Sequence, residues 1–357
     1  MIVGIDMWKP DDNDYFLDLG ATWTHLQYTS FDEPDKRDEL NDSYIPAAVE
    51  AGLTVAIDMR PSSDLHQRLL LLLARPDDEE MTACLKLIRD GAAEAVRRYG
   101  DIVHAWEFWG EYDTPTRNEF YPNSGAAYWA YLKAVHEGIK SVNADYTVWN
   151  GGYGVNFQPQ FLQQLAEHAP SAFDEANWHH YNISEHYPMD DNGKRIFTAT
   201  LQERVEYTSE KYREMFTETR KLMDNYGCKQ PFVSSEWGLP VVDDSLMNEM
   251  RAAGLYSTTF KDDVYGIFGC EAVEFLNAWM AVFEECGIGL LMFHRLHDSV
   301  INDVDKLSQH WGNACGLMYA DGTKKAVYEA LRPWIAKGAE DNTPTAAMEV
   351  SDGRPAG

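Results

Sequence analysis

Long apolar runs are missing from this 357-residue chain. The longest leucine stretch, Leu69–Leu73, is far too short to cross a bilayer. Cysteine is scarce: Cys84, Cys228, Cys270, Cys286 and Cys315 are scattered, odd in number and without a CxxC pair. That spacing suggests neither a disulfide framework nor a zinc site, and it fits a reducing compartment. Positive charge is also short, with 30 basic against 58 acidic residues and a net charge of −28. Such a surface repels phosphate backbones and anionic lipid, so neither a nucleic-acid partner nor a membrane partner is expected. The opening MIVGIDMW has no charged segment followed by a long apolar one. An intracellular protein is therefore the expectation, and secretion follows if a leader has been trimmed. No GxGxxG follows the first strand-like run, so a dinucleotide fold lacks its fingerprint.

What the chain does have is apolar and aromatic. Hydrophobic residues make up 45%, enough for a large core, and 11 Trp with 19 Tyr offer flat rings of the kind sugar faces stack on. Strand-like runs occur at 2–7, 22–28, 54–58, 103–108, 147–150, 176–179, 232–235 and 289–293. They alternate with stretches of helical periodicity such as Met81–Tyr99 and Ala126–Val142. Eight alternating units predict an α/β fold, a single-domain (β/α)₈ TIM barrel over residues 1–338. The small, polar residues 339–357 read as a disordered tail. Residues 187–226 read as a loop over the barrel mouth followed by a helix.

In such a barrel the chemistry sits at the C-terminal strand ends. The fourth strand runs into Trp106-Glu107-Phe108-Trp109-Gly110-Glu111-Tyr112-Asp113, the seventh into Ser234-Ser235-Glu236-Trp237-Gly238, and the sixth into Trp178-His179-His180-Tyr181. Two Glu on nearly opposite strands suit glycosidic cleavage, in which one protonates the leaving oxygen while the other attacks the anomeric carbon. Glu107 reads as a buried barrel residue, with catalysis as its alternative. Asp113 reads as a loop carboxylate. Trp109, Trp178 and Trp237 are sugar platforms or mouth packing. The run His294-Arg295-Leu296-His297-Asp298 contains metal-ligand types, but the first strand ends in Asp6-Met7-Trp8, without the H-x-H of amidohydrolase-like metal barrels.

These motifs, in this order, resemble clan A of the glycoside hydrolases, and family 39 in particular. The closing stretch from Gly316-Leu317 to Lys325-Ala326-Val327-Tyr328 is similar to the last unit of that family. The resemblance implies a retaining hydrolase of β-glycosidic bonds in an oligo- or polysaccharide. It makes Glu111 the acid/base and Glu236 the nucleophile, with Tyr181 and His179 beneath Glu236. Trp8, His25, Trp109, His179, Tyr181, Trp237 and His294 become the substrate-binding set, with no cofactor and no metal. The partner expected is a carbohydrate substrate; the oligomeric state stays open. Three positions depart from the pattern. Gly110 stands where the clan has Asn, His25 where an Arg is common, and His294 where a Trp is common. Two rivals remain: a glycan-binding barrel without catalysis, and a metal-dependent hydrolase. Because close carboxyls ionise unequally, Glu111 is expected to keep its proton at rest.

Overall fold

The computed structural model describes residues 1–33, 39–74, 78–111, 124–152, 167, 170–179, 188–194, 196, 198–242, 267–269, 271–298 and 314–341. Eight parallel strands form one sheet: β1 (Ile2–Asp6), β2 (Trp23–Thr29), β3 (Thr54–Arg60), β4 (Val103–Phe108), β5 (Thr147–Asn150), β6 (Ala176–Asn177), β7 (Phe232–Trp237) and β8 (Ile288–Phe293). Their order is β5-β4-β3-β2-β1-β8-β7-β6, which brings the two ends of the sheet together. Eight α-helices are described: α1 (Asn13–Leu19), α2 (Glu39–Glu50), α3 (Ser63–Ala74), α4 (Asp78–Tyr99), α5 (Ser124–Val142), α6 (Leu201–Asn225), α7 (Ala272–Glu285) and α8 (Ala326–Asp341). The architecture is a (β/α)₈ barrel. No described helix is long and apolar enough to cross a membrane. Helix α8 runs three residues into the expected tail, and the rest of that tail lies outside the described residues.

Alternation along each strand sorts side chains between two cores. Val55, Ile57 and Met59 of β3 face the helices and join the large outer core, whereas Ala56 faces the barrel axis. The barrel floor is a separate cluster of Ala56, Ala105, Trp149, Val233, Leu290 and Met292, with Ile2 and Trp23 packed on it. Large rings need small neighbours there. A Cβ on Gly4 would lie 2.5 Å from Met292 Sδ and 2.7 Å from Trp23 Cβ. The floor shuts water out from below, so polar groups one layer higher sit on a low-dielectric base.

The seam between β5 and β6 is closed differently from the rest. One backbone bridge joins Trp149 to Glu175. Beyond it the Asn150 amide donates to Asn177 O at 2.9 Å, and Asn177 N–H donates to Asn150 Oδ1 at 2.9 Å. The Asn177 amide in turn donates to Asn150 O at 3.3 Å, so two buried side-chain amides supply pairing that strands of four and two residues do not.

Candidate active site

Strand register delivers the acidic residues to the mouth. Between β7 and β8, Ser234 pairs with Leu291 and Trp237 with Phe293. One β8 residue, Met292, therefore opposes two on β7, Ser235 and Glu236. This bulge lets consecutive residues leave the outer face, and it re-aims Glu236 into the barrel mouth. It also turns Trp237 outward. That indole is fully buried among Trp279, Phe283 and Phe293, and its N–H donates to Tyr212 Oη at 3.2 Å.

After β4 the chain bends twice through left-handed backbone, at Trp109 (φ 54°) and Glu111 (φ 57°). Non-glycine residues seldom adopt this conformation, and the surroundings must hold them in it. The Glu111 N–H donates to Gly152 O at 2.8 Å, and the Gly152 N–H donates to Glu107 Oε1 at 2.8 Å. Gly152 thus fixes both carboxylate residues, one through its N–H and one through its carbonyl. A Cβ on Gly152 would fall 2.1 Å from His179 Nε2, and one on Gly151 2.4 Å from Trp109 O. We expect Gly152→Ala to cost about 1–3 kcal/mol through overpacking and to lower kcat by displacing His179. Denaturant unfolding and steady-state rates check this, and unchanged values in both would contradict it.

Around the mouth, three carboxylates and three imidazoles alternate in a closed ring. From Glu236 Oε1 the ring runs 3.8 Å to His294 Nδ1, and from there 2.7 Å to Asp6 Oδ2. Asp6 Oδ1 lies 3.1 Å from His25 Nδ1, and His25 Nε2 lies 3.0 Å from Glu107 Oε2. Glu107 Oε1 is 3.7 Å from His179 Nε2, and His179 Nδ1 is 3.9 Å from Glu236 Oε2. Each carboxylate faces two different imidazoles with its two oxygens. Three of the inner links are of hydrogen-bond length, while the Glu107–His179 link and both links to Glu236 are longer. His179 is steadied by Ser235 Oγ, 2.6 Å from Nε2, and Ser235 by the Asn177 amide at 2.8 Å. Glu111 stands outside the ring with Oε1 3.5 Å from His179 Nδ1. Beside it the Arg60 Nε donates to the buried Asp58 Oδ2 at 2.6 Å.

The electrostatics follow from these contacts. Burial would lower the His179 pKa, but Glu111, Glu236 and Glu107 around the ring push it up to about 9. His25 rises well above its ordinary value, since Asp6 and Glu107 outweigh its burial. His294 rises likewise, with Glu236 and Asp6 outweighing burial. Burial alone would raise the pKa values of Asp6 and Glu107, yet bonding to the imidazoles holds both below the ordinary carboxylate range. Glu111 departs from the sequence expectation. Burial would raise it, but His179, Arg60 and His294 pull it below its usual value. Without substrate, the proton expected on Glu111 resides on His179 instead.

Several expected substrate contacts lie elsewhere. Trp8 is buried in the outer core, as are Trp109, packed against His66 and Tyr131, and Trp178, packed against Phe216 and Phe283. With Trp237 these indoles are packing residues, because strand parity and the φ reversal at Trp109 direct them away from the axis. His25 is buried beneath the mouth as a ring member, and His294 and His179 flank Glu236. Tyr181 and Asp113 lie outside the described residues. Asp6, Asp58, Arg60, Ser235, Asn177 and Gly152 were missed by the sequence reading. The signal was parity: Ala56, Asp58 and Arg60 alternate on one face, and charges on that face at a strand's C-terminal end point into the mouth. Among the described residues two groups could hold a metal ion, Asp6 with Glu236 and His294, and Glu111 with His179 and Glu236. In both, the histidine Nδ1 that would ligate the ion already faces carboxylate oxygens.

The fold is thus a parallel eight-stranded barrel with Glu111 and Glu236 at its C-terminal mouth. The chain belongs to glycosyl hydrolases family 39, whose sequence profile matches residues 76–340. No curated protein sequence matches it significantly. Among solved structures it is similar to a family 39 glycoside hydrolase from Bacteroides cellulosilyticus, with a TM-score of 0.57 and 17% identity over 94% of this chain and 64% of that one. An exo-β-1,4-mannosidase from an Opitutaceae bacterium aligns with a TM-score of 0.63 and 13% identity, over 97% of this chain and 61% of the other. A monomeric β-xylosidase from Caulobacter crescentus aligns with a TM-score of 0.57 and 15% identity, over 94% and 67%. This chain thus spans a little under two thirds of the first of these structures. At such identities the likeness is one of fold.

Proposed function

We propose that the protein hydrolyses β-glycosidic bonds of an oligo- or polysaccharide with retention of configuration, Glu236 acting as nucleophile and Glu111 as acid/base. The observation that carries this reading is the spacing of the pair: a carboxylate oxygen of Glu111 and one of Glu236 lie within 4.8 Å of each other. Retaining enzymes keep their carboxyls about 5–5.5 Å apart, whereas inverting ones leave about 6.5–9.5 Å for a water. The roles differ by environment. Glu236 is part-exposed at the mouth, 3.8 Å from His294 and 3.9 Å from His179, and is the candidate for attack on the anomeric carbon. Glu111, beside the protonated His179, stands where a proton can be passed to a leaving oxygen.

Gly110 sits directly over this layer. A Cβ there would lie 3.1 Å from Glu107 Oε1, 3.4 Å from His179 Cε1 and 3.6 Å from Asp58 Oδ2, so the glycine lets the backbone pack tightly on Glu107 and His179 where relatives of the clan carry a side chain. Hydrolysis of aryl glycosides followed by proton NMR tests the reading: the first-formed sugar should be the β-anomer, relaxing to the equilibrium mixture by mutarotation. An α-anomer formed first would replace retention with inversion. No hydrolysis of any glycoside, together with measurable glycan binding, would favour a barrel that binds without cleaving.

A further inference from the structure

We propose that the ring of Asp6, His25, Glu107, His179, Glu236 and His294 stores the catalytic proton on His179 Nδ1, and that His25, which touches neither Glu111 nor Glu236, sets when that proton is available. This rests on the assignment of Glu111 and Glu236 above.

Geometry gives the path. His179 Nδ1 faces Glu111 at 3.5 Å and Glu236 at 3.9 Å, while its Nε2 is turned to Ser235 Oγ and Glu107. One imidazolium therefore sits between both reacting carboxylates. With three carboxylates and three imidazolium groups the ring is neutral, and no member is an uncompensated buried charge. His25 faces Asp6 from β1 and Glu107 from β4, with the Asp58–Arg60 pair of β3 next to it and His294 across Asp6. It is the link through which the two halves of the ring share charge.

The chemistry then balances. In the first step a Glu236 oxygen forms a bond to the anomeric carbon as the carbon–oxygen bond to the leaving group breaks. The leaving oxygen takes the His179 Nδ1 proton, relayed through Glu111, which is ionised before and after the step. Esterified Glu236 no longer carries its charge, so the ring has one carboxylate fewer and one proton fewer and stays neutral. In the second step water attacks the anomeric carbon, the ester bond to Glu236 breaks, and the water proton passes through Glu111 to His179. The regenerated Glu236 carboxylate draws that proton back. The nucleophile's own charge thus resets the acid.

Long-range ¹H–¹⁵N NMR on histidine-labelled protein, without substrate, tests this. His179 should be doubly protonated at neutral pH and lose its proton near pH 9. In His25→Asn, which retains a donor toward Asp6 but ends the contact with Glu107, the Glu107 carboxylate is left to His179 alone, so that midpoint should rise by about one pH unit. The basic limb of kcat/KM should move up with it, while KM below the limb changes by less than about twofold. Glu107→Gln opens the same link from the other side and, by removing an anion that faces His179, should lower the midpoint instead; it serves if His25→Asn does not fold, and the wild-type titration needs no variant. A neutral His179 at neutral pH overturns the proposal, as does a midpoint indifferent to opening the ring. A midpoint that moves while the basic limb stays overturns His179 as proton source and leaves Glu111 and Glu236 in place. Full hydrolysis by Glu236→Ala instead removes the catalytic assignment, an outcome the substrate-free titration cannot produce.

Discussion

Glu236→Ala is expected to lose turnover on every glycoside, by on the order of 10⁴-fold or more, the scale seen when a covalent nucleophile is removed. No described carboxylate can replace it. Asp6 has both oxygens against imidazoles, Glu107 has Oε2 against His25 and Oε1 accepting from the Gly152 N–H, and Glu111 stands outside the ring beside His179. Removing the side chain also leaves His179 and His294 each short of one anionic neighbour, so both should release protons at lower pH than in the parent. Azide should enter the vacated space and attack the anomeric carbon directly. With a β-glycoside as substrate the product is then the α-glycosyl azide. A β-azide from this variant would exchange the roles of the two residues, and undiminished hydrolysis would take Glu236 out of the mechanism.

Glu111→Ala should show a split that depends on the leaving group. An activated aryl glycoside needs little protonation, so the glycosyl-enzyme still forms, but the water that must open it has no base. A rapid burst followed by a slow steady state is the expected time course. For substrates with poor leaving groups both steps fail, and the loss should be about 10²–10⁴-fold, the usual contribution of general acid–base catalysis. Azide needs no base, so it should restore turnover and give the β-glycosyl azide. His179 should remain protonated in this variant, because Glu236 and Glu107 still face it, yet its proton has no carrier to the leaving oxygen. Equal losses on activated and unactivated substrates would contradict Glu111 as acid/base.

The frame of this protein was legible because parallel barrel strands are apolar on both sides below the mouth. All eight strand-like runs correspond to strands, with bounds shifted by at most about two residues, the scatter usual at element ends. Glu111 and Glu236 could be picked out because each follows a strand that the periodicity had already placed. The indoles of Trp109 and Trp237 could not be assigned from adjacency to those residues. One turns outward through a left-handed φ and the other through a one-residue bulge, and neither event leaves a mark in hydrophobic periodicity. The ring was illegible for another reason. Its members come from six strand ends, and the contact between His294 and Asp6 joins residues 288 positions apart. No spacing rule along the chain reports such a contact. Charge on the inward face at a strand's end was the only available sign.

The amide-closed seam has a consequence for how this barrel would fail. His179, which faces both reacting carboxylates, hangs from β6, a two-residue strand with backbone pairing to β7 and side-chain amides toward β5. The same Asn177 that zips the seam also holds Ser235, and Ser235 holds His179. Parting of the staves at this joint therefore swings the shared imidazole out of line while the remaining seven staves stay laddered. The weakest closure of the cylinder and the hinge of its proton economy are one place, so warming would silence the chemistry before it undid the fold.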